Sequence, residues 1–69
     1  MAANVVSLLL DVDRLAVAGA LAARPMTTDE LVEVTRRGAR EVLACVGDLR
    51  NAGLATSLAD GRYALDVDA

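Results

Sequence analysis

Three arginines fall in the six-residue stretch TRRGAR, at positions 36, 37 and 40. A guanidinium is permanently charged and presents a planar fork of donors that matches phosphate oxygens, so such a cluster points to phosphate binding. Between residues 36 and 62, Arg36, Arg37, Arg40, Arg50 and Arg62 face only Glu41, Asp48 and Asp60, which makes this region cationic in a chain of net charge -3. Gly38, Ala39 and Arg40 would add the free backbone amides of a helix start, a second kind of phosphate donor. Other chemistry is poorly supplied. Asp11, Asp13, Asp29 and Glu30 invite comparison with a carboxylate pair or a Mg²⁺ site, but each stands where a helix start wants an acceptor, so capping accounts for them. With one Cys and no His there is no intramolecular disulfide, no Cys/His zinc cluster and no imidazole for acid-base catalysis. Neither a nucleophile elbow nor a Gly-rich phosphate loop is present. No enzyme activity, cofactor or metal is expected, and Cys45 reads as a small buried hydrophobe.

The elements that must position these arginines can be read from apolar spacing. At 69 residues and 55% hydrophobic content the chain is expected to fold as one domain over residues 1–69, by itself or as the N-terminal module of a longer protein. Its apolar residues are mostly Ala, Leu and Val, with Tyr63 the lone aromatic, so the core should consist of thin aliphatic layers. NVVSLLL is predicted to be a first short helix. Asp11 or Asp13 then caps a second helix, RLAVAGALAA, with Leu15, Ala18 and Leu21 facing inward and Gly19 admitting a close neighbour. Pro25 breaks the chain. MTTDELVEVT carries a capping box if Thr27 is the cap and Glu30 the third helical residue, and Leu31 and Val34 should face inward. RRG reads as a tight turn in which Gly38 takes positive φ or caps the next helix. Val42, Cys45, Val46 and Leu49 then recur at helical spacing until Gly53 and Leu54 stop the helix. The period changes in LATSLADGRYALDV, where Asp60-Gly61 favours a two-residue type I′ turn between short strands.

In this order the elements resemble a winged helix-turn-helix of the ArsR-like transcriptional regulator family. The matching stretches are LLDVDRLAVAGAL for the first long helix, TTDEL for the start of the next, DLRNAGL for the exit of the recognition helix and DGRYALD for the wing. The resemblance spans about residues 5 to 66 and implies a mainly α fold with a small β-hairpin, a three- to four-helix core plus wing. It implies DNA binding and pairing through terminal helices. At recognition-helix positions where that family presents polar side chains to base edges, this chain has Ala39, Arg40, Glu41, Leu43 and Ala44.

The functional expectation is therefore the DNA-binding domain of a bacterial transcriptional regulator. Residues 39–51 would enter the major groove and the wing would lie on the backbone or minor groove. Arg36, Arg37, Gly38, Ala39, Arg40, Ala44 and Arg62 are the expected contacts with double-stranded DNA. The alternative is a winged helix that binds a protein partner or a C-terminal domain, which the acidic balance and the apolar residues of the expected contact helix would suit. Val5, Val6, Leu8, Leu9 and Leu10 supply more apolar surface than one stripe can bury, so a homodimer through them is expected. The run VVSLLL is too short for a bilayer and lacks a basic flank, which leaves a cytoplasmic location as the expectation.

Overall fold

The computed structural model describes residues 10–66. Three helices, α1 (Val12–Ala23), α2 (Thr28–Thr35) and α3 (Ala39–Asn51), are followed by an antiparallel hairpin of β1 (Ala55–Ser57) and β2 (Tyr63–Leu65). The expected helix over NVVSLLL lies outside the described residues apart from Leu10, and so do Val5, Val6, Leu8 and Leu9 of the expected dimer interface.

Each helix starts as its local sequence dictates. The Asp11 carboxylate accepts from the amides of Asp13 and Arg14 and caps α1. At α2 the Thr27 hydroxyl accepts from the Glu30 amide at 3.2 Å, and the Glu30 carboxylate accepts from the Thr27 amide at 2.9 Å, a closed capping box. Gly38 caps α3 in extended conformation, so it is Arg36 that takes the left-handed turn conformation, at φ 60°. A Cβ-bearing residue costs about 1–2 kcal/mol there, and the helix-stopping bond from the Arg36 amide to Val32 O at 2.9 Å holds it in place. α3 ends in a Schellman motif: the Leu54 amide reaches Leu49 O at 2.8 Å and the Gly53 amide reaches Arg50 O at 3.0 Å, with Gly53 at φ 79°.

The hairpin turn differs from the expected two-residue form. Asp60 keeps negative φ, which a type I′ turn forbids, and only Gly61 is left-handed, at φ 89°. The bonds from Leu58 N to Arg62 O (2.7 Å) and from Gly61 N to Leu58 O (3.2 Å) describe a three-residue loop closed by a glycine bulge. β1 and β2 pair with Thr56 opposite Ala64. A further pairing escaped the sequence: Met26, just beyond Pro25, exchanges both backbone bonds with Tyr63 at 3.0 and 2.7 Å and fastens the hairpin to the α1–α2 connection.

The core is one cluster in which Leu31, Leu49, Val17, Val42 and Val46 are fully enclosed, joined by Ala18, Leu21, Met26, Cys45 and Ala55. Two expected core positions are corrected. Leu15 and Val34 are each 53% exposed. The inward stripe of α1 is Val17, Ala18 and Leu21, and Leu15, two residues before Val17, lies about 200° around the helix from it. In α2 only Leu31 is fully turned inward, and Val34, three residues on, falls on the outer edge of so short a helix. Leu54 is half-buried against the core.

Candidate nucleic-acid interface

α3 buries Val42, Cys45, Val46 and Leu49 against α1 and α2. With 100° per residue, the opposite line of the helix carries Arg40, Ala44, Gly47 and Asn51. Arg40, Ala44 and Asn51 are exposed and Gly47 is half-buried. Leu43 and Arg50, both exposed, flank this line on one side, and Glu41 and Asp48 flank it on the other. Beyond Arg50 the helix meets β1 along an open cleft of about 500 Å³, lined by Gly47, Arg50, Asn51, Ala55, Thr56 and Ser57. Ala55 turns into the core, and Thr56 and Ser57 are both exposed beside α3.

The arginines expected to bind phosphate divide into two groups. Arg37 is held within the fold: its Nε donates to Asp13 Oδ1 at 2.6 Å and its Nη1 to Thr35 O at 2.9 Å. Arg62 donates through Nε to Asp60 Oδ2 at 2.7 Å, and its own amide donates to Asp60 Oδ1 at 3.1 Å. Arg14 spans from α1 to α3, with Nη2 2.8 Å from Asp48 Oδ2, and Arg24 meets Glu30 at 3.2 Å. Arg36, Arg40 and Arg50 are exposed and have no carboxylate partner among the described residues. The three lie at the α2–α3 turn and along α3. Arg50 and the hydroxyls of Thr56 and Ser57 are absent from the contacts expected from sequence. The signal for Thr56 was the alternation of LATSL once Ala55 is set inward, a pattern that gives none for Ser57, and for Arg50 its place beside, rather than on, the outward line.

Electrostatics follow from these pairs. Hydrogen bonds donated to their carboxylate partners raise the already high pKa of Arg14 (to Asp48) and of Arg37 (to Asp13). The Arg62 amide holds the Asp60 carboxyl below its ordinary range, and the Thr27 amide does the same for Glu30, helped by Arg24. Asp48 therefore reaches solvent with its charge largely offset by Arg14, whereas Glu41 accepts from the Gly38 amide at 3.2 Å and has no cationic partner among the described residues. At the start of α3 a glycine cap offers no side-chain acceptor, so the amides of Ala39 and Arg40 have none among the described residues. The other two helix starts are closed by their own side chains. Burial, reinforced by Asp13 and Asp11, pushes the Cys45 thiol upward, so it stays protonated and unreactive at neutral pH. Among the described residues no cluster of three or more Cys, Asp or Glu is arranged for a metal ion, and no helix is long and apolar enough to cross a membrane.

No protein-family model, curated protein or solved structure matches the chain.

Proposed function

We propose that the chain is a winged helix-turn-helix DNA-binding domain of a transcriptional regulator, with α2 and α3 as the helix-turn-helix, α3 as the recognition helix and the β1–β2 hairpin as the wing. The observation that carries this reading is the sorting of the arginines. Four of the seven are consumed by carboxylates of the same chain, and the three left unpaired among the described residues, Arg36, Arg40 and Arg50, stand on the turn and the outward side of α3. Their charge, the uncapped amides of Ala39 and Arg40 and the Thr56 and Ser57 hydroxyls form a donor surface of the kind phosphate oxygens need. Asn51 on the outward line is a side chain able to make a bidentate contact with an adenine edge. The Met26–Tyr63 bridge supports the same reading, since it ties the hairpin to the α1–α2 connection and so to the body of the domain. The resemblance to ArsR-like regulators agrees with it and stands as part of the proposal.

The test is fluorescence anisotropy with labelled duplexes as salt is raised. Binding that weakens with salt is expected, with a log-log slope of about −2.7 per protomer for three phosphate contacts. The second reading, a winged helix that docks on a protein, is favoured by the 50% exposed Leu43 beside Ala44, since apolar side chains on this face read few base edges. Absence of binding to any duplex at about 50 mM salt, where phosphate contacts are strong, would decide for that reading.

A further inference from the structure

β2 lies between β1 on one side and the Met26 bridge on the other, which makes β1 an edge strand. Its bonding parity can be read from the pairs around it. The Leu58 amide reaches Arg62 O and the Asp66 amide reaches Leu54 O, both at 2.7 Å, so the pair midway between them, Thr56 with Ala64, is the one whose backbone groups face each other. Ala55 and Ser57 then turn theirs away from β2, just as Tyr63 turns its own away from β1 toward Met26. Each offers an N–H and a C=O at the outer edge, with no backbone partner for them among the described residues. This edge borders the cleft whose other wall is Gly47, Arg50 and Asn51 of α3. By alternation Ser57 shares the face that Ala55 turns into the core, yet Ser57 is exposed, so the space beneath it belongs to the cleft.

We propose that the free edge of β1 is a docking site for an extended, acidic segment of a partner protein, which adds to the hairpin as a further strand. Backbone chemistry selects a polypeptide. The edge presents donors and acceptors in alternation, and a strand at about 4.8 Å supplies the complement of both. A nucleic-acid backbone could use Arg50 and the hydroxyls, but it has phosphate acceptors and no donor for the two carbonyls. Charge selects an acidic segment, because Arg50 is the one ionic side chain among the residues lining the cleft and has no carboxylate partner among the described residues. In an antiparallel partner, the residue that exchanges bonds with Ala55 or Ser57 turns its side chain to the same face as theirs, over α3. There Gly47 leaves open space where a Cβ would stand, which gives a carboxylate side chain room to reach Arg50. The short edge limits the contact to a weak, reversible one. Docking does not depend on what α3 binds. Its consequence rests on the DNA reading: a segment seated here covers Arg50, Thr56 and Ser57 and would displace a duplex.

The probe is a capped peptide of about six residues alternating Thr and Glu, a usual strand length, added to the full chain up to about 1 mM. Amide exchange followed by NMR should slow at Ala55 and Ser57, whose N–H groups point to the edge, and stay unchanged at Thr56, already bonded within the hairpin. Ser57→Pro removes an edge donor at a position where a sheet tolerates proline, so it should keep the circular dichroism of the parent and raise the dissociation constant at least about tenfold. Arg50→Gln should raise it at least about threefold. A check that leaves the protein unaltered is peptide N-methylation: on the Glu residues it should abolish binding, and on the Thr residues it should not. No slowing at Ala55 and Ser57, equal binding by both methylated peptides, or a folded Ser57→Pro chain of unchanged affinity would each overturn the proposal. A chain that binds duplex DNA but not the peptide would remove this proposal and leave the DNA reading, and one that binds the peptide but no duplex would do the reverse.

Discussion

The salt dependence of DNA binding by single-charge variants is the sharpest check on the sorting of the arginines. Each phosphate neutralised by a cation contributes about −0.9 to the log-log slope. With Arg36, Arg40 and Arg50 in contact, raising salt from about 50 to about 200 mM should weaken binding by about 40-fold. Arg40→Ala removes one contact, and the same change in salt should then cost only about 12-fold. Arg62→Ala should leave the slope unaltered, because that guanidinium already spends its charge on Asp60 at 2.7 Å. The reverse substitution is more telling. Asp60→Asn keeps the side-chain oxygen that accepts from the Arg62 amide but removes the charge that holds the guanidinium, so Arg62 becomes a fourth contact. The slope should steepen to about −3.6 and the loss over the same interval should approach about 150-fold. Fluorescence anisotropy at four or more salt concentrations measures all of this on one labelled duplex. If Arg62→Ala flattened the slope while Asp60→Asn left it unchanged, the pair would not be what removes Arg62 from the contact set, and the reasoning would fail.

Leu49 is wholly enclosed at the centre of the core, so Leu49→Ala should cost about 2–5 kcal/mol in urea unfolding, a large part of a small domain's stability, while Leu15→Ala, on the exposed side of α1, should cost far less in a monomer. Arg36 occupies a left-handed conformation at φ 60°; Arg36→Gly should therefore raise stability by up to about 1 kcal/mol while weakening DNA binding, and a variant that gained stability at unchanged affinity would take Arg36 off the contact surface. The Glu30 and Asp60 carboxyls titrate below their ordinary range in the fold, so the stability they contribute is complete above that range and is lost as pH falls through their lowered values. Urea midpoints should fall on the acid side of about pH 4, and Glu30→Gln, which keeps an acceptor for the Thr27 amide but cannot titrate, should make that fall shallower.

What the sequence showed and what it hid divide along a physical line. Signals that act within one or two turns of chain were legible: the Thr27–Glu30 capping box, the glycine stop after α3 and the buried stripe at Val42, Cys45, Val46 and Leu49 all stand in the structure as expected. On α1, Ala18 and Leu21 are buried as expected but Val17 takes the place expected of Leu15, because almost every residue from Leu15 to Ala23 is apolar and a helix apolar all round gives little contrast from which to take a phase. The turn at Asp60-Gly61 was misassigned because Asp-Gly suits both a type I′ turn and a glycine bulge, and loop length, fixed by strand register, decides between them. The Met26–Tyr63 bridge and the pairs from Arg37 to Asp13 and from Arg14 to Asp48 join residues remote in the chain, and no local pattern encodes them. Those two pairs matter most for the site, since they settle which arginines are already spent.

The remaining carboxylates constrain the direction from which a polyanion could approach. Asp29 and Glu33 are exposed on α2 without an ion-pair partner among the described residues, and Glu41 flanks α3 on the side that faces α1. An approach over α2 or from the α1 side would bring phosphates toward these charges and offset part of what the three arginines gain. The other flank differs: Arg50 and Leu43 border the outward line, and the cleft between α3 and β1 is lined by Gly47, Arg50, Asn51, Ala55, Thr56 and Ser57, with no carboxylate among them. Under the proposed function, a DNA strand is therefore confined to the hairpin side of α3, where Gly47, whose Cβ would meet only open space, lets a sugar-phosphate edge come close to the helix backbone. The wing then contributes through the exposed face of β1 rather than through its tip, because at the tip Asp60 and Arg62 neutralise one another.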